Sequence, residues 1–356
     1  MGTIKRTFAN SLTGTGKLSA TNLDSNIPAN NIADASVTNV SALSPSLGSA
    51  IPSVASDPPS PTLGDIWYNS TTGKLKNYVT VAAAWVSGGS MNTARRRIAG
   101  AGTQTAGLGF GGYNPHFNAT EEYNGSSWTA GGNLGTARGY MAGAGTQTAG
   151  LGIGGFSATG STTATEEYDG STWTGGGNLS SQKDSMGGAG TQTAGLGFGG
   201  SNPPNTSQSE EYNGTSWTAG NPMNTARQQL AGAGTQTAGL AFGGATPAAT
   251  GETEEYDGTS WAVNPTGLNN SRVALAGCGT QTAALAFGGD PLTGATEQYD
   301  GSTWSTTTSL TTARSQLAGA GTQTVGLAFG GSTPSLSAAT EEFTGAFNAT
   351  RTVTTS

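Results

Sequence analysis

Between about residue 85 and residue 345 the apolar positions come in short beats, each cut off by glycine or by a cluster of Thr, Ser, Asn and Asp. No apolar pattern with a 3.6-residue period runs for three turns, so helices are not expected. The beats read as short strands. In the stretch from Met141 to Gly175 they predict four, at Met141–Gly145, Thr148–Ile153, Thr165–Tyr168 and Thr172–Gly175. Asx-Gly dipeptides at Asn124-Gly125, Asp169-Gly170, Asn213-Gly214, Asp257-Gly258 and Asp300-Gly301 each stand between a Tyr and a Trp. Flanked by strand residues, Asx-Gly is a strong hairpin signal, because a type I′ turn needs positive φ at both central positions.

The beats recur. A stretch reading A-G-T-Q-T-A-G-L-A-F-G-G appears six times, with its first threonine at Thr103, Thr146, Thr191, Thr235, Thr280 and Thr322, at spacings of 43, 45, 44, 45 and 42 residues. Each unit continues through a variable patch into T-E-E-Y-[DN]-G-[ST]-[ST]-W and a link ending in Thr-Ala-Arg. A unit of this size cannot bury its apolar face alone, so it belongs to a solenoid or a propeller. Four strands per unit choose the propeller, in which a ring of twisted antiparallel sheets leaves only short edges. Small Ala-Gly-Ala-Gly strands would lie nearest the axis, where space is least, with Leu240, Phe242, Tyr256 and Trp261 further out.

A Gly-Gly doublet followed by a Tyr, a Trp and an Arg resembles the kelch repeat. The doublets are Gly111-Gly112, Gly154-Gly155, Gly199-Gly200, Gly243-Gly244, Gly288-Gly289 and Gly330-Gly331; the tryptophans are Trp128, Trp173, Trp217, Trp261 and Trp304. The resemblance runs from about Trp85 to Phe343 and implies an all-β, kelch-like β-propeller. Its inner hairpin is richer in glycine than an ordinary kelch strand pair and resembles the glycine-rich repeats of marine bacteriophage virion proteins. The first repeat starts early, at Trp85, while the last ends on Phe343 in the Tyr place with no Trp. The strand around Trp85 is therefore expected to complete the last blade. Six inner hairpins give six blades; a seventh, built from the Ile66–Trp85 hairpin and the C-terminal tail, is the alternative.

Residues 1–62 are a different material, rich in Ser, Asn, Ala and Pro, with isolated apolar beats such as Leu23, Ile27 and Val37. Alone, such a segment is expected to be disordered or extended, and Pro58-Pro59-Ser60-Pro61 is a stiff linker. The division expected is an arm and linker over 1–62 and a propeller over 63–356. The stretch Gly64-Asp65-Ile66-Trp67-Tyr68-Asn69 with Thr72-Gly73-Lys74-Leu75 resembles a short hairpin of tail-fibre and related proteins of tailed phages. That resemblance implies an arm that anchors the chain to other virion proteins and, by analogy with fibres, a trimer.

Charged residues make up 10% of the chain and the net charge is −7, with Arg95-Arg96-Arg97 the one basic cluster. Nucleic-acid binding is not expected. No 18-residue apolar run and no signal-peptide pattern is present, so neither a membrane span nor Sec export is expected; Arg6 argues against myristoylation. One Cys and one His leave no triad, metal site or cofactor site, and no enzyme is expected. Cys278 replaces an Ala of A-G-A-G-T and reads as a core residue.

The repeated Glu-Glu doublets are no catalytic carboxylate pairs, because adjacent strand residues face opposite ways. One Glu of each doublet is expected to meet the cation at the Thr-Ala-Arg position of its repeat. The pairs draw on Arg95, Arg138, Lys183, Arg227, Arg272 and Arg314, and on Glu121, Glu166, Glu210 and Glu254, with Glu297 of Glu297-Gln298 and one of Glu341-Glu342 in the last two repeats.

What changes from repeat to repeat is the patch between Gly-Gly and T-E-E-Y. In a four-stranded blade this loop emerges on the same face as the blade-to-blade links, so all six ring one end. The candidate ligand-binding rim is Tyr113, Asn114, His116, Phe117, Phe156, Asn202, Asn205 and Asp290, since sugars and partner surfaces stack on exposed rings. The function implied is a virion structural protein of a tailed phage, assembled in the host cytoplasm, with its propeller outward and a host-surface glycan or receptor as ligand. The alternative is an intracellular kelch-type interaction scaffold, since propellers host many functions.

Overall fold

The computed structural model describes residues 51–353, in two compact units: Ala83–Gly345, and a smaller one in which residues up to Ala82 join those from Ala346 onward. The arm predicted over 1–62 lies mostly outside the described residues. All elements described are strands and turns.

The larger unit is β-propeller-like and repeats one sheet six times. In the first sheet the strands are Ala99–Gly102, Gly107–Phe110, Thr120–Tyr123 and Trp128–Ala130, each antiparallel to the next. In the second they are Ala142–Thr146, Ala149–Ile153, Thr165–Tyr168 and Trp173–Gly175, each within a residue or two of its sequence-predicted place. The sixth sheet differs in origin. Its first three strands are Ala318–Gly321, Val325–Phe329 and Thr340–Thr344, and its fourth is Ala84–Ser87, with Trp85 opposite Phe343.

The core lies between the sheets. Each interface holds one apolar cluster built from small residues of one inner strand, large apolar residues of the second strand, and aromatic residues of the neighbouring sheet. Ala99, Ala101, Leu108, Phe110 and Tyr168 make the one between the first two sheets. Ala318, Ala320, Leu327 and Phe329 of the sixth sheet pack with Tyr123 and Trp128 of the first. Glycine in the inner strands is a packing requirement. A Cβ on Gly143 would stand 2.4 Å from Gly100 O, and one on Gly232 would stand 2.6 Å from Gly188 O. Neighbouring inner strands approach closely, and only a residue without a side chain fits there.

The smaller unit is one sheet of Ser53–Val54, Ile66–Asn69, Lys74–Val81 and Phe347–Thr352. The boundary between compact units thus falls at 82/83 instead of 62/63, and the tail joins the smaller unit, because Lys76–Val81 pair with Phe347–Thr352. The G-D-I-W-Y-N hairpin has a plain structural reason. Trp67 and Asn69 share a strand face, and both donate to Asp57 Oδ1, at 3.0 and 2.7 Å. Lys76 Nζ donates to the other oxygen at 2.7 Å. With Lys76 first among the causes, these three donors pull the Asp57 carboxyl down to about 2.

Candidate functional site

Four side-chain families hold the repeat sheets, one within each sheet and three between neighbours. The first holds a sheet together internally. Arg227 Nη2 lies 2.9 Å from Glu254 Oε1, with both side chains fully buried, and Nη1 donates to Gly243 O and Glu252 O. The other oxygen of Glu254 accepts from Asn224 N at 2.6 Å and Asn224 Nδ2 at 2.9 Å. The same arrangement places Arg95 on Glu121, Arg272 on Glu297 and Arg314 on Glu341, at 2.8–2.9 Å. Lys183 does the same for Glu210. Arg138 stands 3.0 Å from Glu166 without hydrogen-bond alignment. Burial pushes each of these guanidinium groups down, and the facing carboxylate opposes that.

The second Glu of each doublet points the other way and serves the neighbouring sheet. Tyr123, Tyr168, Tyr212 and Tyr256 donate to Glu342, Glu122, Glu167 and Glu211 of the preceding sheet at 2.5 Å, and Tyr299 donates to Glu255. In the sixth sheet the tyrosine is Phe343, and the residue that would accept its missing proton is Gln298 where the other repeats have Glu. The two departures occur together across one interface. Tryptophan indoles make a parallel set: Trp128 Nε1 donates to Thr340 Oγ1 at 2.9 Å, and Trp85 Nε1 to Thr296 Oγ1 at 3.1 Å.

At the end formed by the G-T-Q-T turns, the glutamines tie each sheet to the one before it. Gln147 Nε2 donates to Gly107 O at 3.0 Å and Tyr123 O at 2.7 Å. Gln104 does the same to Gly326 O and Phe343 O, across the sixth and first sheets. The flanking threonines are exposed in every repeat. Five of the six glutamines make both bonds, and Gln323 makes the one to Tyr299 O.

The opposite end is different. Two residues after each Thr-Ala-Arg cation stands a residue with positive φ: Arg97, Tyr140, Ser185, Gln229, Ala274 and Gln316, at 51–59°. Positive φ is uncommon for residues other than glycine. Here a backbone bond offsets it. Arg97 N donates to Gln316 O (2.8 Å), Tyr140 N to Arg97 O (3.0 Å), Ser185 N to Tyr140 O (2.8 Å), Gln229 N to Ser185 O (2.7 Å), Ala274 N to Gln229 O (2.9 Å) and Gln316 N to Ala274 O (2.8 Å). The six bonds return to their start and form a collar.

Inside the collar is a shallow, open concavity of about 80 Å³, lined by Ile98, Met141, Met186, Leu230, Leu275 and Leu317. The variable patches surround it, because the residue after each Gly-Gly doublet bridges the residue after the cation, as in Arg96 with Tyr113 and Gln228 with Ala245.

Of the rim residues picked out from sequence, the structure brings three together. Tyr113 lies 5.0 Å edge-on to His116 and 6.5 Å from Phe156, and His116 stacks on Phe156 at 5.9 Å. All three are half-buried. Phe117 is half-buried as well, and its ring lies 6.0 Å from Arg95 Cζ, away from the expected open rim position. Asn114, Asn202 and Asp290 are exposed, and Asn205 Nδ2 donates to Ala245 O at 3.0 Å. Cys278 is buried, with its thiol pushed up to about 12 by burial.

Sequence reasoning missed the collar. Tyr140 joins the aromatic cluster, 5.0 Å from Tyr113 and 6.2 Å from Phe156, and Arg97 Cζ sits 3.9 Å from the Tyr140 ring centroid. The signal was present, since this position reads R, Y, S, Q, A, Q between a near-constant cation and a constant apolar residue.

No protein-family profile matches the chain, and no curated protein does. Among solved structures it is similar to one described as "Structure of YjhT", with a TM-score of 0.61 at 11% identity, covering 73% of this chain and 99% of that one. At that identity the likeness concerns the fold alone.

Proposed function

We propose that the six repeat sheets are the blades of a kelch-like propeller in a virion structural protein of a tailed phage. The propeller carries recognition of a host-surface glycan or receptor, and the N-terminal residues attach the chain to the particle. One observation carries the recognition half. The collar position and the patches beside it vary from repeat to repeat, and there Tyr113, His116, Tyr140 and Phe156 form one aromatic cluster beside Arg97. Half-exposed rings next to a concavity suit stacking on sugar faces. The attachment half rests on the resemblances of the glycine-rich repeat and of the Gly64–Leu75 hairpin, and on the low apolar content of residues 1–62.

Mass spectrometry of purified particles tests the assignment. The chain should be present at structural copy number, and deletion of residues 1–50 should abolish its incorporation. Changing Tyr113, Tyr140 and Phe156 together to Ala should weaken attachment to host cells while incorporation stays normal. A chain absent from particles and recovered with a cellular partner would favour the interaction-scaffold alternative.

A further inference from the structure

The larger unit carries eight Lys/Arg against 17 Asp/Glu between Ala83 and Gly345, a balance of −9. Six of its eight cations face a glutamate in the buried pairs described above. Among the described residues, Arg96 and Arg97 have no carboxylate within ion-pair distance, and both stand at the collar end. A strongly acidic unit thus keeps its two uncommitted cations side by side at the one concavity whose residues vary. Burial pushes the Arg97 guanidinium down, with Tyr140 the largest opposing influence and Asp184 a smaller one. It is held against the Tyr140 ring and not free in solvent.

Three polar atoms here are buried without a partner among the described residues: Arg96 Nε, His116 Nε2 and Gln316 Oε1. Such atoms cost free energy unless something satisfies them. Their chemistry differs. Arg96 Nε can only donate, so it needs an acceptor; Gln316 Oε1 can only accept, so it needs an O–H or N–H. An inorganic anion meets the first need and not the second. A neutral sugar's hydroxyls can meet both needs but leave the charges of two guanidinium groups uncompensated. A sugar ring bearing a carboxylate or sulfate meets both, with a ring face for Tyr113, Tyr140 and Phe156.

We infer that the collar concavity and the rim beside it bind an acidic saccharide, its anionic group on Arg97 in the concavity and Arg96 on the rim and a hydroxyl on Gln316, off-centre where the sixth, first and second sheets meet. This rests on the glycan reading of the rim above and names the class of glycan.

The test is isothermal titration calorimetry on the full chain. The probes are a galacturonic acid trisaccharide, a sulfated galactose trisaccharide, neutral galactotriose, and a tetraglutamate peptide. The first two separate carboxylate from sulfate as the anionic group. At least one should bind about tenfold more tightly than galactotriose, and raised salt should weaken it, as for a charge-assisted contact. Arg97→Gln and Arg96→Gln should each lose about tenfold, the size of one charged hydrogen bond. Arg97→Gln is a mild change to the fold, because Gln229 and Gln316 occupy the same collar place with the same positive φ; an unchanged melting temperature checks this.

Equal affinity for galactotriose, indifference to Arg97→Gln, binding of tetraglutamate alone, or no binding by any probe would each overturn the inference. The glycan reading would survive the first two of these. It would also survive the last, if replacing Tyr113, Tyr140 and Phe156 still weakened attachment to host cells.

Discussion

The two ends of the repeat unit are built from the same six links and turns, yet they treat sequence in opposite ways. At the G-T-Q-T end every glutamine reaches back to the preceding sheet, five of them to two carbonyls, as Gln147 does to Gly107 and Tyr123, and Gln323 to Tyr299 O alone. At the collar end the sheets are joined by backbone bonds, such as Gln229 N to Ser185 O. A side chain that makes the joint cannot change; a side chain whose backbone makes the joint can. That difference lets Arg97, Tyr140, Ser185, Gln229, Ala274 and Gln316 occupy equivalent places without loss of ring geometry. One end is structure, and the other is available for chemistry.

Four measurements would break or sharpen this contrast. The largest effect is expected in alkali. Burial, and then the glutamates that accept from them, raise the hydroxyls of Tyr123, Tyr168 and Tyr212 from 10 to about 12. A raised folded value means stabilisation that is whole below pH 10 and lost as the pH climbs through about 12. Thermal melts should hold level up to about pH 10 and then fall steeply; a flat profile to pH 12 would show that the Tyr–Glu contacts do not support the ring.

Next comes Arg227→Ala, which strands Glu254 with both groups buried. Urea denaturation should show a loss of about 3–5 kcal/mol. Arg227→Lys should lose less, since Lys183 fills the equivalent place in the third sheet. A loss under about 0.5 kcal/mol for the alanine variant would put these pairs on a par with surface charges.

The third measurement sets one residue type against itself. Gln147→Ala should cost about 1–3 kcal/mol by leaving two carbonyls unpaired, whereas Gln229→Ala should stay within about 0.5 kcal/mol, as a surface change does. Equal losses at the two positions would erase the contrast. The smallest effect concerns the interface that lacks its Tyr–Glu contact. Phe343→Tyr combined with Gln298→Glu should recover about 0.5–1.5 kcal/mol relative to the sum of the single changes, read as a double-mutant cycle in urea.

Much of the architecture was legible because it repeats. Glycine spacing, Asx-Gly turns and the early Trp85 pointed to four-stranded sheets and to a sixth sheet completed from the N-terminal side, where Trp85 lies opposite Phe343. Glu-Glu on a strand had to split between two faces, and it does, one carboxylate to Arg in its own sheet and one to Tyr in the next. The Phe343 departure was visible in sequence. Its meaning was not, because only the pairing of sheets puts Phe343 opposite Gln298 of another repeat.

The sequence by itself determined the local rules: which residues turn, which alternate, and which must be glycine. Those follow from φ/ψ preference and strand periodicity, which act within a few residues. Tertiary structure alone decided where the chain divides, because the partner of Lys76–Val81 is the distant strand Phe347–Thr352. It also decided which variable positions meet. Phe117 and Phe156 look alike along the chain, but one rests against Arg95 and the other joins Tyr113, His116 and Tyr140. Collar residues more than 40 positions apart become neighbours through backbone bonds that no local pattern encodes. Contacts between repeats depend on the angle at which whole sheets pack, and that angle is a property of the assembled ring.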